Sequence, residues 1–235
     1  MLLDLPVRIG NRLLAAMPRA DFEALRPHLE PVSLVSKEVL LRARATVTDV
    51  YFPEQGMVSM VQPLGDGVPI EVGVIGAEGV VGVSALLGGD RMCGDAVVRI
   101  PGRALRLRAH VLQERMRRSA ELRQSLHRFL QGYLAQLAQS AACNGRHSLQ
   151  ERLARWLLVA HDHAEGGDLT ISHEVLATML GMRRAGVTVA MGALRNAGLV
   201  SNGHTRIIVT DRAGLEAAAC ECYGIVAAEY RRLGL

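Results

Sequence analysis

Residues 169–211 read LTISHEVLATMLGMRRAGVTVAMGALRNAGLVSNGHTRIIVTD, and the punctuation of this stretch decides the fold. Ser172 stands where an N-cap belongs, because its side-chain oxygen can accept from an amide of the first helical turn. Val175, Leu176, Met179 and Leu180 follow at helical spacing, and Gly181 supplies the tight turn that ends a short helix. A second helix is predicted from about Arg183 to Ala197, burying Val187, Ala190, Met191 and Leu194, with Gly198 as its C-terminal stop. LVSNGHTRIIVT then alternates around Asn202-Gly203, the strongest short hairpin signal, so a two-stranded wing follows the second helix.

Helix, tight turn, helix and wing read DNA when the outward face is slim and basic. Arg183 and Arg184 stand at the end of the second helix that would enter a major groove, where an arginine can take guanine O6 and N7 together. Thr188 and Arg195 face outward with them, and His173 and Gly186 belong to the same predicted contact set. Ser172 with its backbone amide, and His204, Thr205 and Arg206 of the wing, are placed to meet phosphates, fixing register without reading sequence. Residues 169–210 hold four arginines and one glutamate, a local charge of +3 that suits a polyanion. The competing reading is a helical hairpin used only for packing, its arginines on a solvated face. Cap, turn glycine, apolar spacing and wing agree with one another and favour the DNA-reading unit.

Outward toward the N-terminus, SLQERLARWLLVAHDHAEGG starts a helix at Ser148 with Glu151 at the N3 position, a capping-box pattern. Trp156 is assigned to its core, and His161-Asp162-His163 to an inter-helix loop with surface histidines. Asn144-Gly145 marks a break. Before it, VLQERMRRSAELRQSLHRFLQGYLAQLAQSAACNG has no proline and repeats apolar residues at steps of three and four, as a long amphipathic helix does. Its stripe of Leu122, Leu126, Phe129, Tyr133 and Leu137 admits two readings: a face that covers the preceding domain, or the seam of a homodimer with coiled-coil stepping.

From about Val32 to Arg108 the texture changes to short apolar runs separated by turn signals, which predicts a small antiparallel barrel or jelly roll. Gly65-Asp66-Gly67 reads as a hairpin turn between two of these strands. Within this region VGVIGAEGVVGVSALLGGD, residues 72–90, spaces glycines at 73, 76, 79 and 82. A dinucleotide loop would need a strand before it, a helix after it and an acidic residue about 20 positions on. This stretch lies among strand-like runs instead, so its glycines are assigned to tight corners of a β-roll.

Composition sets outer limits. A chain of 235 residues accommodates two ordinary domains. The formal charge of +4 is carried almost wholly by arginine, with Lys37 the single lysine, and arginine forks suit phosphate and guanine edges. No apolar run reaches membrane-spanning length, and Asp4, Arg8 and Arg12 interrupt the segment where a signal peptide needs continuous apolar residues, so a cytoplasmic protein without membrane contact is expected. Cys93, Cys143, Cys220 and Cys222 are too few and scattered for a disulfide framework, and no metal site is assigned to them, although Cys220-Glu221-Cys222 could form a redox or metal pair with Cys143. Glu71, Glu78 and Asp90 are carboxylates without a convincing nucleophile, metal spacing or Walker loop, so no enzyme and no catalytic residue is predicted.

Order and spacing across nearly the whole chain, and LATMLGMRRAGVTVAMGALRNAGLV most specifically, resemble the Crp/Fnr family of bacterial transcription regulators. The resemblance implies an α+β chain: a cyclic-nucleotide-binding-type β-roll over 1–112, a long dimerisation helix and hinge over 113–145, and a winged helix-turn-helix domain over 146–235. It also implies a homodimer on a two-fold symmetric operator in double-stranded DNA, with RNA polymerase as a further partner. Arg184 takes the place of the family's recognition-helix arginine, whereas Ala185 replaces a glutamate that many members use to read cytosine. In the nucleotide cassette Gly82 matches, Val83 stands at the ribose-binding glutamate with Ser84 beside it, and Gly94 and Asp95 occupy the positions of the phosphate-binding arginine and serine. A carboxylate there repels a phosphate, so cyclic AMP binding of the usual kind is not expected; no cofactor is assigned and the effector is left open. Iron-sulfur members cluster cysteines near the N-terminus, and this chain has none before Cys93. The alternative is a small-ligand or nucleotide receptor that acts through protein contacts.

Overall fold

The short apolar runs of the N-terminal half pair as antiparallel strands, because each leaves backbone donors and acceptors that only a neighbouring strand can satisfy. The computed structural model describes residues 9–65, 67–202 and 206–235. Two short helices, α1 (Arg12–Ala15) and α2 (Arg19–Leu25), and a 3-10 turn lead into β1 (Glu30–Leu34), β2 (Val39–Leu41), β3 (Asp49–Gln62) and β4 (Ile70–Ile75). Helix α3 (Val83–Leu86) and the long strand β5 (Asp95–Arg108) complete this unit. Sheet order is β1-β5-β3-β4, with β2 also pairing β5; β3 and β5 run the length of the sheet in a register that sets Phe52 opposite Leu105 and Val61 opposite Asp95. The β3–β4 hairpin forms as expected around residues 65–67, where Gly67 adopts φ +78°; Asp66 lies outside the described residues.

The long helix expected over 113–145 is two helices, α4 (Ala109–Arg118) and α5 (Ala120–Arg146). Ser119 separates them, its side chain accepting from the Leu122 amide and so capping the second. Asn144-Gly145 does not break the chain; α5 runs through it and stops at His147. At 27 residues α5 is about 40 Å long, enough to pass from one domain to the other.

The stripe on α5 has a different partner from a second subunit. Leu122, Leu126, Phe129 and Tyr133 are buried against the chain's own sheet, in one core with Val50, Phe52, Val98 and Leu107, and Leu137 packs at its edge. The four buried residues are therefore unavailable as a dimer seam. Steps of three and four make a helix amphipathic whatever lies opposite, so spacing alone did not identify the partner. The glycine run completes this packing: a Cβ on Gly79 would overlap the Phe129 ring, and one on Gly73 would lie 2.9 Å from Leu137 Cδ2.

Beyond α5 come α6 (Leu149–His163), β6 (Asp168–Thr170), α7 (His173–Leu180), α8 (Arg184–Asn196), β7 (Val200–Asn202), β8 (Arg206–Val209), α9 (Arg212–Ala218) and α10 (Cys222–Arg232). The capping box at Ser148 and Glu151 forms in both directions. The wing pairs β7 with β8, and β6 joins it as a third strand in the order β6-β8-β7, which the sequence reading missed because Asp168–Thr170 is only three residues long. Trp156 is buried in the second core, with Leu157, Leu176, Val187 and Leu194. Met57 and Val74 of the first sheet enter that core too, so the two domains share apolar surface.

Candidate nucleic-acid interface and the domain junction

Helix α7 begins as expected: the Ser172 side chain accepts from the Val175 amide, leaving its hydroxyl hydrogen for an outside acceptor. Gly181 closes the helix at φ +62°, and the Met182 amide donates to Ala177 O at 2.9 Å, the six-to-one bond of a Schellman closure. Helix α8 then buries Val187, Ala190, Met191 and Leu194, the predicted four. Arg183 is its N-cap, and Arg183, Arg184, Thr188 and Arg195 are exposed.

Hydrogen bonds lock the two helices together on this face. The Thr188 hydroxyl donates to Arg184 O at 3.0 Å and lies 3.1 Å from His173 Nδ1, so it accepts from a proton carried on that nitrogen. Arg184 Nε sits 3.8 Å from the Glu174 carboxylate, with both side chains more than 70% exposed, a pairing weak enough to exchange for a DNA contact. Two predicted contacts are differently occupied. Gly186 turns toward α6, where a Cβ would lie 3.1 Å from Leu149 Cδ2, so its lack of a side chain serves packing. Arg206 donates to the Asp168 carboxylate across β6 and β8, which ties it to the wing sheet. His204 and Thr205 lie outside the described residues.

The nucleotide cassette keeps its turn and has given its side chains other partners. Gly82 adopts φ +105° ahead of α3, Val83 packs against the first core, and the Ser84 hydroxyl donates to Met92 Sδ at 3.4 Å. A Cβ on Gly94 would stand 2.6 Å from Val61 O, so β3 itself excludes a side chain there. Asp95 does not stand free in a phosphate site as the sequence reading supposed; its carboxylate accepts the Ala43 amide at 2.6 Å.

A cavity of about 590 Å³ lies elsewhere, at the junction of the domains, bordered by Glu71, Gly73, Gln136, Trp156, His163 and Tyr230. Glu71 accepts from Trp156 Nε1 at 2.8 Å and from Ser59, and burial raises its pKa. His163 is no surface histidine: it sits on the last turn of α6, Nε2 3.2 Å from Glu78, against Gly76, where any Cβ would overlap the ring. Burial alone would raise the Glu78 pKa, but attraction and hydrogen bonding from His163, with the Gly76 amide, outweigh it and bring it to about 2. For His163 burial favours the neutral ring, and Glu78 overcomes it to raise the pKa.

Three of the cysteines are not scattered: Cys220 and Cys222 stand beside Cys143, the grouping that the sequence left as an alternative. Cys143, Cys220 and Cys222 form a small buried cluster with His147, a residue the sequence reading passed over. Cys143 and His147 stand four apart at a helix end, the spacing that puts two side chains on one face, and that was the available signal. Burial raises the Cys143 pKa and takes that of Cys220 to about 12, so neither is a reactive thiolate as it stands.

Among the described residues no helix is long and apolar enough to cross a membrane. The family described as a cyclic nucleotide-binding domain matches residues 31–119, and that described as a Crp-like helix-turn-helix domain matches residues 151–218. The chain is 26% identical over 196 residues to the transcriptional regulator LdrP of Thermus thermophilus, covering 78% of this chain and 93% of that one. Among solved structures it is similar to FixK2 from Bradyrhizobium japonicum, with 20% identity, TM-score 0.69 and 82% and 98% of the two chains covered. It is likewise similar to TTHA1359, a CRP/FNR-family regulator also from Thermus thermophilus, with 24% identity, TM-score 0.65 and 81% and 98% covered. LdrP and TTHA1359 are transcription regulators rather than enzymes. A nucleotide-type sheet domain joined by a long helix to a helix-turn-helix whose second helix bares its arginines is the build of a DNA-binding regulator, and the chain combines a cyclic nucleotide-binding domain with a Crp-like helix-turn-helix domain, as regulators of the Crp/Fnr type do.

Proposed function

We propose that this regulator acts as a cytoplasmic homodimer on a two-fold symmetric operator, without responding to cyclic AMP through the usual cassette, and that it meets RNA polymerase there. The observation that carries the DNA reading is α8, whose inner face is locked into the core while Arg183, Arg184, Thr188 and Arg195 stand in solvent. A two-fold operator needs two such helices about one DNA turn apart, which a symmetric dimer supplies. With Leu122, Leu126, Phe129 and Tyr133 buried, the proposed seam is the opposite face of α5, where Gln124, His127, Gln131, Leu134, Ala138 and Ala141 are exposed at alternating steps of three and four. Leu134 is 64% exposed, and the alanines beyond it let two helices approach closely. The side-chain partners of Val83 and Asp95, and the excluded Cβ at Gly94, support an effector other than cyclic AMP. We assign that effector to the cavity at the domain junction.

The test is selection of bound duplexes from a random pool by the purified protein, followed by titration of the selected site. A palindromic site is expected, with affinity falling steeply as salt rises. Arg184→Ala is expected to weaken that site by about 1–3 kcal/mol and relax one base position, the worth of a bidentate guanine contact. Leu134→Asp is expected to give monomers in light scattering with the fold intact. No selected sequence, or salt-insensitive binding, would overturn the DNA reading; a dimeric Leu134→Asp would move the seam elsewhere. Saturable cyclic AMP binding in calorimetry would overturn the effector reading.

A further inference from the structure

Four metal-ligating side chains from separate parts of the chain converge where α5 ends. Cys143 lies on its last turn and His147 is its C-cap, while Cys220 comes from the turn between α9 and α10 and Cys222 is the first residue of α10. Their ligand atoms all lie within 4.8 Å of one another, with Cys143 Sγ 3.5 Å from Cys220 Sγ and Cys222 Sγ 3.5 Å from His147 Nδ1. The cysteines are buried and the His147 side chain is only 15% exposed. We propose that this chain binds one zinc ion, held by Cys143, His147, Cys220 and Cys222.

Three thiolates and an imidazole form the donor set of a closed, structural zinc site. The size fits as well: metal–sulfur bonds of about 2.3 Å in a tetrahedron hold the sulfurs about 3.8 Å apart. A multi-iron cluster would spread the ligands, because its thiolates sit on different irons. A Cys143–Cys220 disulfide would engage two of the groups and give Cys222 and His147 no part.

The surroundings point the same way independently. His147 Nε2 lies 3.2 Å from the Glu221 carboxylate while Nδ1 faces Cys222, the carboxylate–imidazole–metal arrangement that fixes a ligand's tautomer. Gln139 Nε2 donates to Cys222 Sγ at 3.0 Å. Binding displaces three thiol protons to solvent and needs no oxidant; three thiolates and a dication leave one negative charge. Arg152 and Arg155, whose charges act on Cys143, compensate it. The ion would clamp the end of the helix that leaves the first domain to the C-terminal helices, fixing the hinge at one point.

The experiment uses the full chain, purified reduced and without chelator. Elemental analysis is expected to find about one zinc per chain, as a closed four-ligand site binds one ion. A thiol reagent should react with Cys93 alone until a chelator is added to unfolded protein, when all four cysteines react. Reconstitution with cobalt is expected to give the strong visible bands of a tetrahedral thiolate site, and none of these three measurements requires a variant. Cys93→Ser should keep the metal, Cys220→Ser/Cys222→Ser should lose it, and Glu221→Gln should bind zinc about 10- to 100-fold more weakly. The proposal fails if reduced protein offered zinc and cobalt retains neither, if the double variant retains a full equivalent, or if the mass deficit of a disulfide joins Cys143 to Cys220 in the reduced protein.

Discussion

At α8 the side chains that would meet a ligand have little to do inside the molecule, whereas in the 82–95 cassette they are already engaged. Arg183, Arg184 and Arg195 stand in solvent, and Arg184 has only a long, exposed pairing with Glu174. Val83 packs against a core, Ser84 bonds to Met92, and Asp95 bonds to the Ala43 amide. A binding surface needs unspent donors and charges, and a family fold can keep a backbone cassette after packing has used its side chains. The two halves of this chain thus differ in what the same architecture leaves free.

The largest expected effect tests which helix face is core. Phe129→Ala should cost about 3–5 kcal/mol in chemical denaturation and leave the oligomeric state unchanged, since it empties a buried aromatic site. A seam residue would do the reverse, changing association with little loss of stability. Gly94→Arg asks whether the cassette can be restored. Because its Cβ would meet Val61 O, the variant should lose about 1–3 kcal/mol through overpacking and still fail to bind cyclic AMP in calorimetry. Binding with stability intact would make the loss of side chains, rather than the altered packing, decisive.

The domain junction titrates. The His163 pKa is raised above 6.5, so its contribution is complete below that value and is lost as pH rises through the raised one. The Glu78 pKa is lowered from 4.5 to about 2, so its contribution is complete above 4.5 and is lost as pH falls toward about 2. Junction stability should therefore be greatest between pH 4.5 and 6.5 and decline on the alkaline side, as read by thermal unfolding across pH. His163→Gln should remove the alkaline decline. The smallest effect is at the DNA face: Glu174→Gln frees Arg184 and should tighten operator binding by at most about five-fold, the worth of an exposed ion pair. An unchanged affinity would show that Arg184 is already free.

Much of the DNA-binding half was legible because its signals are local. Ser172, Gly181, the four buried positions of α8 and the Ser148–Glu151 box each depend on residues within one or two turns. The sheet domain and its hairpin at 65–67 followed from alternation and turn residues in the same way. Less of the site was legible where a side chain has two sides to choose from. Gly186 and Arg206 were assigned to DNA and turned to Leu149 and Asp168 instead, and His163, placed in a loop, proved to be helical and paired with Glu78 across the domain junction.

By itself the sequence determined the order of the two domains and the long helical segment between them, the ends of the two helices of the helix-turn-helix, and which face of those helices is apolar. Caps, turn glycines and periodicity act over a few residues, where chain connectivity already fixes the distances. Tertiary structure alone decided what each face meets: that the α5 stripe covers its own sheet, that the glycines at 73, 76 and 79 make room for α5 and His163, and that Cys143 and His147 meet Cys220 and Cys222. Spacing says that a surface must be buried; only the path of the whole chain brings a particular partner to it.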